Sequence, residues 1–261
     1  MSSRLYRDDA IVLRTQDLGE ADRIITLATK SHGTVRAVAK GVRKTSSRFG
    51  ARLEPFQRVD VQLHRGRSLD TVSQAVTITP YASQISADYG AYTAAGAMLE
   101  AVDRLSRDGV DVGPAHYMML VGALQALADA RYPSVLILDA FLLRSLAFAG
   151  WAPELRRCAV CGADGPHYAL DIAAGGVVCR SCRAGGAIAA RPAVTEHMIF
   201  LLAGDWPSAL ESEPSAQAEA GALIARLFTY HLERPLRALD LVERTPFAGP
   251  LAPGDTRDSA P

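Results

Sequence analysis

The chain lacks a long apolar run. Its greasiest stretch, VLILDAFLLRSLAFAGW (Val135–Trp151), is broken by Asp139 and Arg144, and a membrane helix needs roughly 18 uninterrupted apolar residues. No membrane span or membrane partner is expected. The opening MSSRLYRDDA has no apolar core, so no secretory signal is expected either. Cysteine is scarce: four in 261 residues, all between Cys158 and Cys182. Nothing points to an oxidising compartment, and clustered cysteines in a reducing cytoplasm bind metal more often than they cross-link. The motifs of nucleotide and hydrolytic chemistry are missing too. There is no G-x-x-x-x-G-K-[ST], no dinucleotide-binding glycine fingerprint, no G-x-S-x-G and no H-E-x-x-H. The histidines at 32, 64, 116, 167, 197 and 231 are scattered without recognisable acid partners. Asp17, Glu20 and Asp22 could hold a metal, but a solvated turn before a strand explains them more simply. No catalytic residue is assigned, and no nucleotide is expected as a partner.

What is present is unevenly distributed. The net charge of zero combines a basic first part, 14 Lys/Arg against 8 Asp/Glu in residues 1–80, with an acidic remainder, 14 against 20. Such asymmetry points to a polyanion-facing surface at one end, with chance segregation as the bland alternative. Residues 1–80 read as five short strands: DDAIVLRTQ, RIITLAT, TVRAVAKG, and a hairpin in VDVQLHRGRSLDTVSQAVTI turning at Gly66. Strands with no amphipathic helices between them predict a small antiparallel barrel.

Near Pro80 the period changes. Tyr92, Ala95, Leu99, Val102 and Leu105 fall on one helical stripe, and two further helices open near Pro114 and Pro133. The Met118–Met119 pair reads as core packing rather than a soft binding surface. After the glycine-rich cysteine segment, TEHMIFLLAGD and AQAEAGALIARLFTYHLERPLRAL return to helix, with Leu223, Leu227 and Tyr230 in register. The expected layout is an α+β chain: a barrel at 1–80, a helical domain at 81–245 with a metal module at 151–190 inserted in it, and a Pro/Gly/Asp-rich tail at 246–261 expected to be disordered.

The cysteines form C-x₂-C-x₁₇-C-x₂-C. Each Cys-x-x-Cys turn presents two thiolates to one metal, and Gly162 follows the first pair, where positive φ is useful. Gly175–Gly176 offers a turn that returns the second pair to the first. The spacing lies in the range for tetrahedral zinc held by Cys158, Cys161, Cys179 and Cys182. One structural Zn²⁺ per chain is expected, since four thiolates leave no open position. Four cysteines also leave an iron–sulfur cluster chemically open. His167 lies inside the loop and reads as a surface residue.

VRAVAKGVRKTSSRFGAR, Val35–Arg52, carries six basic residues and no acid. Small residues between them let backbone approach phosphates closely while the long cations reach around. Arg36, Lys40, Arg43, Lys44, Arg48 and Arg52 are the candidate phosphate contacts, with Arg65 and Arg67 of the hairpin as an extension of the patch. A solvated surface loop is the alternative, at the cost of self-repulsion. Phe49, Phe56 and Tyr6 could stack on bases, though at least two of them read as barrel core.

The stretch Ala10–Phe56 strongly resembles the opening of the RecO recombination-mediator and DNA-repair family. GEADRI, HGTVRAVAKGVRK and LEPF carry the likeness, and the layout of barrel, helices and four-cysteine module agrees in order. The resemblance implies an N-terminal OB-fold, binding of single- and double-stranded DNA, annealing of complementary strands, and work with RecR and the single-strand-binding protein to load RecA without nucleotide hydrolysis. It implies a cytoplasmic, nucleoid-associated protein. Some family members lack the cysteines. Two other classes stay open on the residues alone: an enzyme acting on nucleic acid, and a zinc-ribbon adaptor whose main partner is protein.

Overall fold

The computed structural model describes residues 4–110 and 112–244; the expected tail at 246–261 lies outside them. Strands β1 (Leu5–Leu18), β2 (Asp22–Thr29), β3 (Gly33–Ala39), β4 (Arg58–His64) and β5 (Asp70–Thr79) close into a barrel in the order β1-β2-β3-β5-β4. Alternation builds it: Val12, Ile25, Leu27, Ala37, Val59 and Val61 are fully buried inside. The long β1 serves two neighbours. Its first half pairs with β4 (Leu5↔His64 to Ile11↔Arg58), and from Ala10 onward it pairs with β2 (Ala10↔Thr29 to Leu18↔Asp22), with an irregularity in that ladder between Val12 and Arg14.

Four seams are antiparallel. The fifth, β3–β5, is parallel and short, Ala37↔Asp70 and Val38↔Thr71. The expectation of an antiparallel barrel is corrected at this one seam, and the reason is parity: a ring of five strands cannot alternate direction all the way round. The strand order is that of the OB-fold.

The other face of β1 and β2 is apolar as well. Ile11, Leu13 and Ala28 point outward into the helical core. That core is built by α1 (Tyr81–Ile85), α2 (Tyr89–Arg107), α3 (Pro114–Ala128), α4 (Ser134–Phe148), α5 (Pro192–Ala203), α6 (Trp206–Glu211) and α7 (Pro214–Leu232). Asp88 caps α2, its carboxylate accepting from Ala91 N at 2.6 Å. Helix α2 is buried almost all round, and its fully buried Ala94, Ala95, Ala97 and Ala101 let neighbouring elements approach closely. Gly204, at φ +77°, ends α5 in the left-handed conformation that glycine adopts without strain.

A polar clasp joins barrel to helices. Tyr117 on α3 donates to Asp9 Oδ1 at 2.6 Å, and Arg58 makes two hydrogen bonds to the same carboxylate at 3.1 and 2.5 Å. Burial pushes the Asp9 carboxyl up, but Arg58 and Tyr117 outweigh it, so its pKa lies below the usual range.

Three helical positions depart from expectation. Met118 is half exposed, and only Met119 packs on the core. Tyr92 and Tyr230 lie on their helical stripes yet stay half exposed, because a tyrosine at the edge of a stripe can bury its ring and keep its hydroxyl wet. Tyr92 meets buried Phe56 edge-on, centroids 5.4 Å apart.

Beyond Pro235 the chain doubles back as a strap over the helices. A single 3₁₀ turn, Arg237–Leu241, packs on α2, where Glu100 Oε2 accepts from Ala238 N at 2.8 Å. Arg244 on the strap makes two hydrogen bonds to the buried Asp139 carboxylate of α4 at 2.8 and 2.9 Å. Gly221 on α7 leaves the space: a Cβ there would lie 1.8 Å from Arg244 Nη1 and 2.6 Å from Asp139 Oδ2.

Candidate nucleic-acid interface and metal centre

The cysteine module is a three-stranded sheet, β6 (Ala169–Asp171), β7 (Gly176–Val177) and β8 (Ile188–Ala189), in the order β7-β6-β8. The glycine pair acts in two ways. Gly175, at φ +80°, makes the turn between β6 and β7. Gly176 admits the backbone of Glu154, whose carbonyl oxygen would sit 2.3 Å from a Cβ. Leu155, Leu170 and Ala190 root the module in the helical core. Its own apolar centre is only Cys158, Ala169 and Val178 with a few partly buried neighbours, too little to fold such a segment unaided.

The two Cys-x-x-Cys turns face each other. The sulfurs of Cys158, Cys161, Cys179 and Cys182 all lie within 4.8 Å of one another, and Cys161 Sγ is 3.8 Å from Cys179 Sγ. Four sulfurs placed tetrahedrally at about 2.3 Å from a zinc ion would be about 3.8 Å apart, so the set fits one closed tetrahedral ion. Gly162 takes φ +73° and donates to Cys158 O at 2.8 Å, closing the first turn. Backbone N–H groups, Cys161's first and then Cys179's, hold the Cys158 thiol down to about 6. Hydrogen bonding to the crowded sulfurs, first Cys179 and then Cys161, pushes Cys182 up to about 12. Four sulfurs this close cannot all ionise without a cation among them. His167 points elsewhere, its Nε2 3.0 Å from Ala163 O.

The basic segment leaves β3 and returns to β4 through residues 40–57, including a 3₁₀ turn at Gly50–Leu53. Phe49 and Leu53, each 1% exposed, plug the barrel end and pin the loop. The acids of the β1–β2 turn pin it too. Asp22 accepts from Gly41 N at 2.7 Å, and Asp17 pairs with Arg43 at 3.4 Å. Asp17 and Asp22, which sequence reading took for solvated turn acids rather than metal ligands, are loop anchors. Phe49 and Phe56 are buried, and Tyr6 is partly buried, so the three aromatics serve first as core.

Arg36, Lys40, Arg43, Lys44, Arg48, Arg52, Arg65 and Arg67 are all exposed. Most other barrel arginines are committed to acids: Arg7 to Asp60, Arg14 to Asp103, Arg23 to Asp17 and Glu54, Arg58 to Asp9. Of the eight candidates only Arg43 has an ion pair among the described residues.

The eight do not form one patch. Lys40, Arg43, Lys44, Arg48 and Arg52 stand at the barrel end where β3 terminates. Arg65 and Arg67 stand in the β4–β5 turn, which meets the β2–β3 turn at the opposite end. Tyr6 ties these two turns, donating its hydroxyl to Asp70 and packing 4.6 Å from the His32 ring. Arg36 lies between, on the exposed face of β3. Sequence reading missed Arg4, which joins Arg65 because β1 and the β4–β5 turn converge in space, Arg65 N donating to Arg4 O at 2.7 Å, and Lys30, exposed on the β2–β3 turn, whose charge also acts on Asp9.

A five-stranded OB-like barrel with exposed cations at its ends, fused to a helical domain whose four cysteines lie close enough to hold one metal ion, is the architecture of a nucleic-acid-binding protein. Two family models cover almost the whole chain: recombination protein O, N terminal, matches residues 1–81, and recombination protein O, C terminal, matches residues 86–240. The chain belongs to the RecO family, whose role is in DNA recombination and repair. No helix among the described residues is long and apolar enough to cross a membrane.

Proposed function

We propose that this chain is a recombination mediator that binds single- and double-stranded DNA through its barrel cations, anneals complementary strands, and helps load a recombinase on single strands coated by single-strand-binding protein. RecR and the single-strand-binding protein are its proposed protein partners, and the cytoplasmic nucleoid its place of work. The observation that carries the reading is the two groups of exposed cations, all but Arg43 without an ion pair among the described residues, on a RecO-family barrel. Phosphate contacts from such cations hold a strand whatever its sequence. Neutralising two strands lets them approach, which is all that annealing asks of the protein. No covalent step is proposed, and no nucleotide is consumed.

Cys158, Cys161, Cys179 and Cys182 are proposed to hold one Zn²⁺ per chain, which would supply folding energy rather than chemistry, because four thiolates fill its shell.

The test is annealing of complementary strands, bare and coated with single-strand-binding protein. Acceleration in both settings without added nucleotide is expected. A chain that accelerates neither sinks the mediator reading and favours a zinc-ribbon adaptor with incidental DNA affinity.

A further inference from the structure

We propose that the barrel carries two separate strand-binding surfaces, one at each end, the second being where the β2–β3 and β4–β5 turns meet. The proposal rests on the DNA-binding reading above and adds how many strands one chain holds. At this second end Arg4, Lys30, Arg65 and Arg67 are exposed and make no ion pair among the described residues. The acids bonded to these turns are otherwise engaged. Asp8, buried, accepts from Ser31 N at 3.1 Å and Asp9 N at 2.9 Å and lies 2.6 Å from His32 Nδ1. Asp70 accepts from the Tyr6 hydroxyl and from Gly66 N at 2.9 Å. Neither neutralises a lysine or arginine.

The same end offers flat groups. The Arg65 guanidinium lies 4.9 Å over the Tyr6 ring, whose centroid is 4.6 Å from that of His32. Guanidinium and aromatic planes beside phosphate-binding cations are what a single strand uses, bases stacking while the backbone follows the charge. The loop end has a guanidinium over a ring as well, Arg48 4.9 Å over Phe49, but there the ring is buried in the core.

The two ends are distinct because β3 separates them. It leaves the β2–β3 turn and enters the basic loop, and its six steps of about 3.3 Å put those two loops about 20 Å apart, while the β4–β5 turn comes in between them, leading into β5 beside Ala37. At about 3.4 Å of duplex axis per phosphate on one strand, a duplex lying along β3 would pass about six phosphates of that strand. Arg36 is the one cation on β3. Charge is concentrated at the ends, and a chain so built holds two strands at once, as annealing requires.

The experiment counts strands. The full chain is mixed with two non-complementary single strands of different length, and native mass spectrometry reads how many of each sit on one chain. Wild type is expected to carry both together. Arg65→Glu with Arg67→Glu, and separately Lys40→Glu with Lys44→Glu, should each reduce the count from two to one. Arg4→Glu with Lys30→Glu repeats the first test without disturbing the Tyr6 stack, and an unchanged melting temperature checks its fold. A wild type that never exceeds one strand while binding it firmly overturns the proposal and leaves DNA binding standing. So does an Arg65/Arg67 variant, confirmed by the Arg4/Lys30 variant, that still holds two; the second end would then suit an acidic protein surface. A wild type that binds no strand removes both readings.

Discussion

Replacing Arg244 by alanine tests whether the C-terminal strap is part of the fold or merely lies on it. The Asp139 side chain is 3% exposed and that of Arg244 25%, so the alanine variant leaves a carboxylate buried without its partner. Breaking one side of a buried ion pair costs about 3–5 kcal/mol. For a chain of this size each kcal/mol lowers the melting temperature by about 2–4 °C, so a loss of about 6–20 °C is expected. The effect has a pH signature. Burial raises the Asp139 carboxyl above the ordinary aspartate range, and Arg244 pulls it part of the way back. A carboxyl whose folded pKa exceeds its unfolded value favours folding while protonated, and that advantage is lost as pH rises through the folded pKa. Without Arg244 the folded value rises further. The stability gap between wild type and variant should therefore be wide at neutral pH and should narrow on acidification, as Asp139 becomes protonated in both. Thermal unfolding followed by circular dichroism across that range reads it. Gly221→Ala should act alike, since the added methyl would occupy the guanidinium's place. An Arg244→Ala protein that melts with wild type at neutral pH, or a gap that widens in acid, would refute the reasoning.

Two further outcomes concern the metal and the loop. Elemental analysis should find about one zinc per chain, and Cys158→Ser should lose it together with the fold of residues 151–190, because structural zinc contributes on the order of 10–16 kcal/mol; resistance to limited proteolysis equal to wild type, or four free thiols and no metal, would sink the assignment. Four unpaired loop cations, Lys40, Lys44, Arg48 and Arg52, predict a log–log salt slope near −2.8 for strand binding at that end, from about −0.7 per contact. Lys40→Glu with Lys44→Glu should flatten it by about 1.4. Arg43→Glu should do less, since Asp17 already counters that charge; equal effects of Arg43 and Lys44 would remove pairing as the criterion.

Much of this molecule was legible in one dimension because its signals are local. The cysteine pairs and the acid-free run Val35–Arg52 are contiguous, and each implies its chemistry by composition. The strands were legible by alternation, and α2 by its stripe. What stayed hidden depends on closure. The parallel β3–β5 seam follows from counting strands in a ring, which strand-by-strand reading does not do. Arg4 and Lys30 look isolated in sequence and become a patch only when three chain segments meet at one barrel end. Helix α6 is six residues long, too short for a periodic signal, and rests on the Asp205 cap accepting from Ser208 N at 3.3 Å. The strap was hidden as well: nothing near Arg244 says that its partner sits 105 residues earlier.

Pairing divides the barrel arginines into two kinds, and the division bears on why the cations stand where they do. Arg14 and Arg58 face the helical domain, Arg14 ion-paired with Asp103 at 3.7 Å and Arg58 hydrogen-bonded into the Asp9–Tyr117 clasp. They fix one body against the other, and reversing their charge would break the joint. Most cations at the barrel ends have no acid partner among the described residues; Arg43 pairs with Asp17, and Arg52 donates to the Arg48 and Phe49 carbonyls. Like charges about 4 Å apart in water repel by about 1 kcal/mol, and salt screens this beyond about 10 Å. A quartet of unpaired cations at one barrel end is therefore a modest but steady cost to the folded chain. A chain under no demand but stability would mix acids among them, as it does over the rest of the barrel. That acids are absent from Val35–Arg52, and that Asp8 and Asp70 are turned to other partners at the far end, leaves both quartets free for phosphate. The cost is removed when a strand binds, so strand binding should also stabilise the barrel.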